Sequence, residues 1–383
     1  SGFTTASKRR LAIAVTKAQP DLVYVIAVNS NRGMEGLYKS SNKGANFALQ
    51  LSGTVYNPLS NSQNGTGTAG QGEYDLAIES SPSDSNIVYV GGINVFRSID
   101  GGKTFRCKAF WSFSATIPWV HADIHYIGRN PINNELWIGS DGGIDYTAEE
   151  RLPSGAGVDN LFPIINNRNS GLVIAQFYNL GVSQSSLTKF ITGSQDNGTS
   201  AGTNKFDWTA ELGGDGMQCE ISNFDTRVMF GCIQYGDLNR SINDGGSWNF
   251  IANSINERPG PWITPYHLHP RVDNILVAIY RNIWVSKNST GTANPTFSRV
   301  TTTAAGEGSA VRFSNVNDNY VFCGWKDGVL RYSSNILAAA PIFTGLPTPL
   351  NTGEITDIET SYLDVNTIYV SKGNRVFKST NLG

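Results

Sequence analysis

An apolar run of seven or eight residues returns eight times along this chain. The copies are DLVYVIAV (21–28), NIVYVGG (86–92), NELWIGS (134–140), TKFITGS (188–194), TRVMFGC (226–232), NILVAIY (274–280), NYVFCGW (319–325) and NTIYVSK (366–372). Most follow one another at about 40 to 55 residues. A repeat of that period means stacked supersecondary units, because one such unit cannot bury its apolar faces alone.

Each copy sits in the same local grammar. A first strand such as LAIAV (11–15), LAIES (76–80) or AVRFS (310–314) leads through a turn of Pro, Ser, Asn and Asp into the repeated run. A third strand follows, as in GLYKS (36–40), NVFRS (94–98), DLNRS (237–241), VLRYS (329–333) and RVFKS (375–379). In the best copies a tight turn and a fourth strand complete the unit. Four short antiparallel strands per repeat make a propeller blade. The expected fold is therefore an all-β propeller of about eight four-stranded blades in one domain over residues 1–383, with room for further blades beyond this chain. The chain opens at SGFTTASKRR and stops inside a unit at FKSTNLG, which reads as truncation at both ends. The last unit then lacks its outer strand, and either residues 1–7 or sequence not included here would complete it.

The tight turn carries its own signature. SIDGGKTF (98–105) and SINDGGSW (241–248) share Ser-x-(Asp/Asn)-x-Gly-x-(Thr/Ser)-(Phe/Trp). Ser98, Asp100, Gly102, Thr104 and Phe105 align with Ser241, Asn243, Gly245, Ser247 and Trp248. The Asp or Asn is expected to accept hydrogen bonds from turn N–H groups, Gly to supply a positive φ, and the aromatic to pack between blades. SSNKGANF (40–47) and SKNSTGTANPTF (286–297) are degenerate copies. These residues are read as a folding staple and not as a ligand site.

These copies resemble the Asp-box, or BNR, repeat of sialidases, sortilin-type receptors and several glycoside hydrolase propellers. The stretch VHADIHYIGRNPINNELWIGSDGGIDYT (120–147), with AQFYNLGVSQSSLTKFITGSQDNGTS (175–200) and LGGDGMQCEIS (212–222), is similar to secreted Bacteroidetes proteins of the sortilin-like or glycosyl hydrolase BNR-repeat kind. That resemblance implies export, by a type IX secretion route, to the outer cell surface or the extracellular space. It implies either a glycan-directed propeller related to glycoside hydrolases or a non-catalytic interaction or adhesion scaffold.

Composition narrows the partners. Of 383 residues only 16% are charged and the net charge is −2, so there is no basic footprint for nucleic acid or an anionic membrane. No long uninterrupted apolar stretch exists to insert in a bilayer. The expected partner is a polysaccharide, a glycoconjugate or a cell-surface protein.

Blade topology places the unusual residues. The lead-in to a first strand and the loop between second and third strands open on the same side. His121, Asp123 and His125 fall at one lead-in, Asp141 in the following loop, Gln195 and Asp196 in the next such loop, and Asp215 at the next lead-in. Glu73, Asp75, Glu307, Glu354 and Asp357 repeat the pattern, predicting an acid-rimmed funnel. Glycoside hydrolysis would draw two carboxyl groups, typically about 5 to 9.5 Å apart, from Asp123, Asp141, Asp196 and Asp215. Trp119, Tyr126, Phe177 and Tyr178 would stack on sugar rings, with Gln195, Glu73 and Glu307 as polar contacts. For Asp141 and Asp196 individually, turn formation is the competing reading. A sialidase is disfavoured, since Ser7-Lys8-Arg9-Arg10 stands where an Arg-Ile-Pro element would be expected.

A second reading is a metal site. Residues two apart on a strand share a face, so His121, Asp123 and His125 would project together, and His267 and His269 form another such pair. Hydrogen bonding between blades is the alternative for all four. None of the readings requires a cofactor, and a bound metal ion is the one addition they allow. A third reading is a binding platform, with the polar loop NPLSNSQNGTGTAGQGE (57–73) on the same face. Cys219 and Cys232 lie on adjacent strands, opposite each other or one residue out of register, leaving a disulfide open, while Cys107 and Cys323 have no evident partner.

Overall fold

The computed structural model describes residues 8–148, 165–170, 172, 175–202, 207–301, 306–347 and 353–382. Residues 1–7, one of the two candidates to close the last unit, lie outside the described residues. The chain divides into two compact units, Ser1–Ile174 and Ala175–Gly383.

The first unit holds three blades. Blade 1 is built from Leu11–Val15, Val23–Val28, Met34–Ser40 and Ala48–Ser52, and blade 2 from Ala77–Ser80, Val88–Gly91, Val95–Ser98 and Arg106–Ala109. Blade 3 comprises Ile124–Arg129, Leu136–Ser140, Gly143–Thr147 and the two-residue strand Asn166–Asn167.

The second unit holds five. Blade 4 spans Phe177–Val182, Phe190–Ser194, Gly198–Gly202 and Trp208–Leu212; blade 5 spans Gly216–Ile221, Met229–Ile233, Asp237–Ser241 and Asn249–Phe250. Blade 6 uses Tyr266–Leu268, Leu276–Ile279, Ile283–Ser286 and Phe297–Arg299, and blade 7 uses Gly308–Phe313, Val321–Trp325, Leu330–Ser333 and Thr344–Leu346. Blade 8 has three strands among the described residues, Ile355–Thr360, Ile368–Lys372 and Arg375–Ser379. Every neighbouring pair of strands is antiparallel and in chain order, so the fold is an all-β propeller of four-stranded blades.

The eight repeated runs are the second strands, and burial explains why they are nearly continuous in apolar residues. Leu276 and Ala278 enter the core shared with blade 5, while Val277 and Ile279 between them enter the core shared with blade 7. A strand covered on both faces has no solvent side on which to place polar residues. Similar cores join blades 1 and 2, blades 2 and 3, blades 4 and 5, and blades 7 and 8.

The repeated turns are built as their residues suggest. Asp100 Oδ1 accepts the backbone N–H groups of Lys103 and Thr104, both at 3.0 Å, and the Ser98 hydroxyl at 2.8 Å; its Oδ2 accepts the Thr104 hydroxyl at 2.7 Å. Ser98 Oγ in turn accepts the Gly102 N–H at 2.8 Å. Asn243, Ser241, Ser247 and Gly245 repeat the arrangement, and Gly102 and Gly245 have φ of 85° and 84°. Phe105 is buried in the core between blades 1 and 2, and Trp248 packs against the core between blades 4 and 5. Asp100→Ala removes the acceptor for two turn N–H groups and is expected to cost about 1–2 kcal/mol in urea denaturation. Asp100→Asn, which copies the second turn, is expected to cost less than half of that.

The cysteine pair does not bridge. All four cysteines are free and buried. The hairpin runs in even register from Ile221↔Met229 to Cys219↔Gly231, which leaves Cys219 one residue away from facing Cys232. The one-residue offset sends the two thiols to different cores, Cys219 to that between blades 4 and 5 and Cys232 to that between blades 5 and 6.

Candidate functional site

In the first unit the lead-ins of blades 2 and 3 and a loop of blade 3 meet at a cluster of carboxyl groups. Asp75 ends the lead-in to blade 2, is fully buried, and neither of its oxygens makes a hydrogen bond. Burial, followed by the charge of Asp123, pushes its carboxyl up to about 7. Gln71, four residues earlier, donates through Nε2 to Asp123 Oδ1 at 2.6 Å instead. Asp123 is itself 9% exposed and its carboxyl is raised, first by burial and then by the charge of Asp141, with the Gln71 hydrogen bond opposing the shift.

Asp141 is the more accessible member. Its Oδ2 accepts the Tyr74 hydroxyl at 2.5 Å and its Oδ1 is 2.7 Å from His125 Nε2. The Tyr74 ring stands edge-on to His125, with centroids 4.8 Å apart. Arg10 holds the backbone at the tyrosine by donating to the carbonyls of Glu73 and Tyr74 at 3.1 and 2.6 Å. One oxygen of Asp123 lies within 4.8 Å of one oxygen of Asp141. Of the two, the buried Asp123 is the one whose carboxyl is raised, so it keeps its proton to higher pH than a free aspartate would.

The straight strand expected through His121, Asp123 and His125 is not what forms. Blade 3 begins at Ile124, and Asp123 has a φ of 66°, which breaks the two-residue alternation before the strand starts. His121 Nδ1 lies 3.1 Å from the Ala122 carbonyl, whereas His125 is engaged with Asp141. The other pair also divides: His267 Nδ1 meets Glu220 Oε1 at 2.8 Å, and His269 Nε2 meets the Asp318 carbonyl at 2.8 Å.

The remaining residues singled out in the sequence separate into engaged and open groups. Glu73 pairs with Arg9 at 3.6 Å and Arg32 at 3.7 Å, and Glu307 with Lys326 at 2.8 Å, so both rim acids are neutralised. Asp215 Oδ1 accepts the backbone N–H of Asp196 at 2.9 Å, tying the loop of blade 4 to the lead-in of blade 5. That contact gives Asp215 a structural task, repeated when Gln234 Oε1 accepts the Asp215 N–H at 2.9 Å. Tyr178 donates to Gln195 Oε1 at 2.9 Å and accepts the Trp262 indole N–H at 3.3 Å. Phe177 stacks on Trp208 within blade 4, with centroids 6.5 Å apart. Trp119 and Tyr126 are exposed.

The second unit has its own concavity of about 660 Å³, lined by the first strands of blades 4 to 8. Glu220, His267 and Arg312 face it, Glu220 also accepting the Leu268 N–H at 2.8 Å and Arg312 pairing with Glu359. Tyr74, Gln71 and Glu220 are site residues that sequence reading had not selected, whereas Asp75 had been placed among the acids of the funnel rim without a chemical role of its own. Asp75 gave one signal: an acid immediately before the apolar Leu76-Ala77-Ile78.

Fold and site together describe a β-propeller with a clustered-carboxyl site. No known protein family matches the chain, and no curated protein does. Among solved structures it is similar to a GH74 enzyme from Niastella koreensis at 14% identity, over 98% of this chain and 64% of that one, with a TM-score of 0.29. It is also similar to a GH74 xyloglucanase from Xanthomonas campestris (12% identity, 97% and 65%, TM-score 0.28). A third is YCF48 from Cyanidioschyzon merolae (12% identity, 99% and 97%, TM-score 0.35). The chain thus spans just under two thirds of the two GH74 enzymes' length.

Proposed function

We propose that this propeller binds and hydrolyses a glycan at the carboxyl cluster of the first unit. The observation that carries the reading is the pairing of a buried carboxyl that favours its proton, Asp123, with a more accessible one, Asp141, an oxygen of which lies within 4.8 Å of an Asp123 oxygen. Acid and base roles separate where environments push neighbouring carboxyl groups apart. An oxygen–oxygen approach within 4.8 Å favours the closer carboxyl spacing of the retaining class of glycosidase over the wider spacing of the inverting class.

In this scheme Asp123 delivers its proton to the leaving glycosidic oxygen as the bond to the anomeric carbon breaks. Asp141 attacks that carbon to form a glycosyl ester, and a water then cleaves the ester with Asp123 taking up the water's proton. Tyr74 and His125 are positioning residues that orient the Asp141 carboxylate. Asp75 acts through Asp123, keeping a proton available on the buried side. No cofactor enters the scheme.

The test is release of reducing ends from a polysaccharide panel. Asp123→Asn and Asp141→Asn are expected to lose turnover while still binding. Asp215→Asn is expected to keep it, because an asparagine oxygen can still accept the Asp196 N–H. A folded protein that releases nothing from any polymer would instead support the interaction-scaffold reading. The Asp-box assignment belongs to the same proposal and is supported by the shared hydrogen bonding around Asp100 and Asn243. So do export and an extracellular or outer-surface location, supported by the resemblance to secreted Bacteroidetes proteins and checked by fractionating the producing cells.

A further inference from the structure

We propose that Trp111, Phe113 and Trp119 form a stacking platform for a neutral, β-linked oligosaccharide, beside the carboxyl cluster. The inference rests on the glycan reading above and adds to it a binding subsite and the class of sugar chain. Three large aromatic side chains within nine residues are left open to solvent: Trp111 at 42%, Phe113 at 91% and Trp119 at 55% exposure. Scattered exposed apolar residues are ordinary, but a contiguous group marks a contact surface.

The segment that carries them is held in place. The Phe110 N–H donates to the Pro118 carbonyl at 2.9 Å and the Val120 N–H to the Phe110 carbonyl at 3.2 Å, closing the base of the excursion. Ile117 is buried in the core between blades 1 and 2. The Trp111 N–H donates to Oδ1 of the fully buried Asn94 at 3.0 Å, and Asn94 reaches on to the Ser60 carbonyl at 3.1 Å. Both indole N–H groups are already used, Trp111 on the Asn61 carbonyl at 3.2 Å and Trp119 on the Trp111 carbonyl at 2.9 Å. What the indoles offer a partner is therefore their faces, in an orientation fixed before binding.

The chemistry around the rings selects the partner. Residues 109–120 contain no charged side chain, and neither does the adjoining stretch 57–72, which is rich in Asn, Ser, Gln, Thr and Gly. An anionic polymer or a lipid surface would call for cations here. A neutral sugar needs only aromatic faces for its C–H surface and uncharged groups for its hydroxyls. A β-1,4-linked pyranose chain is flat and presents such surfaces repeatedly, whereas an α-1,4-linked chain coils. Trp119 stands edge-on to His121 at 6.0 Å, and His121 is two residues from Asp123, so the platform adjoins the segment that carries the carboxyl groups.

The experiment is calorimetric titration with cellohexaose, mannohexaose and maltohexaose, on the wild-type protein and in parallel on Asp123→Asn to prevent cleavage. Cellohexaose or mannohexaose is expected to bind, with maltohexaose weaker. Trp111→Ala and Trp119→Ala are each expected to weaken binding about tenfold or more, and Phe113→Ala about threefold. Phe113 supports no core, so its variant keeps the wild-type melting temperature and decides the case if a tryptophan variant unfolds. Failure of the folded protein to bind any hexaose, or undiminished affinity in Phe113→Ala and Trp119→Ala, overturns the platform. Hexaose binding that depends on the platform, without release of reducing ends, overturns only the catalytic reading.

Discussion

Asp75→Asn is expected to stabilise the protein at pH 8 by up to about 4 kcal/mol and to leave it nearly unchanged at pH 4. The Asp75 carboxyl is raised from 3.8 to about 7, by burial first and by the Asp123 charge second. Between those two values the folded chain holds a proton that the unfolded chain releases. Stability from this group is therefore fully present below about 4 and is lost as pH rises toward 7, at about 1.4 kcal/mol per unit. Asparagine cannot ionise, so the slope disappears with the carboxyl. Its amide also suits the site, since an N–H₂ group can donate to the Asp123 carboxylate beside it. Urea denaturation at intervals from pH 4 to 8 reads the effect directly. Wild-type and variant stability curves that stay parallel across this range would show that Asp75 ionises freely and that the cluster holds no retained proton.

The same residue shows where sequence reading reaches its limit. Asp75 belongs to the lead-in pattern of acids that also includes Glu73 and Glu307, and by pattern alone the three are equivalent. In the folded chain Glu73 and Glu307 meet Arg9, Arg32 and Lys326, while Asp75, among the described residues, pairs with no cation and faces Gln71 and another acid. Partnering is a property of which loops adjoin, and loops from different blades are brought together by stacking and not by spacing. The second strands, in contrast, were legible at all eight positions, because packing against neighbouring blades writes an apolar run that no local competitor imitates.

Local irregularity accounts for the other differences. The His121-Asp123-His125 alternation presumes a strand, but the positive φ of Asp123 turns the chain one residue before the ladder begins. Counting from the turn left Cys219 and Cys232 opposite each other or one residue out of register, and the hairpin takes the second arrangement, with Cys219 opposite Gly231. Outer strands were the least visible, since Asn166–Asn167 forms a strand of two residues that carries no apolar period. Asp123 and Asp141 could be placed on one face by counting strands, yet their separation depends on side chains from two neighbouring segments. Neither Trp111 nor Phe113 stood out beside Trp119, because exposure of an aromatic residue is not encoded in its type.

Gly193→Ala is expected to destabilise the second unit by about 2–3 kcal/mol or more, although it adds a single methyl group to a β-strand. Gly193 lies in the second strand of blade 4, one residue before its end at the loop that carries Gln195 and Asp196. A Cβ built there would stand 1.9 Å from the Met217 carbonyl oxygen and 2.6 Å from the Gly216 carbonyl carbon. Both neighbours are backbone atoms of the first strand of blade 5, which cannot rotate aside as a side chain would. Blade 5 would have to move, and the Asp196 N–H to Asp215 contact would move with it. Gly193 in ITGSQDNG and Gly216 in GGDGM thus serve close approach of two backbones, which gives these two positions a packing explanation independent of any ligand. Gly213→Ala is the matched control, because nothing lies within 4 Å of its Cβ, and it is expected to stay within about 0.5 kcal/mol of wild type. Equal urea midpoints for the two variants would mean that blades 4 and 5 are not in backbone contact at Gly193.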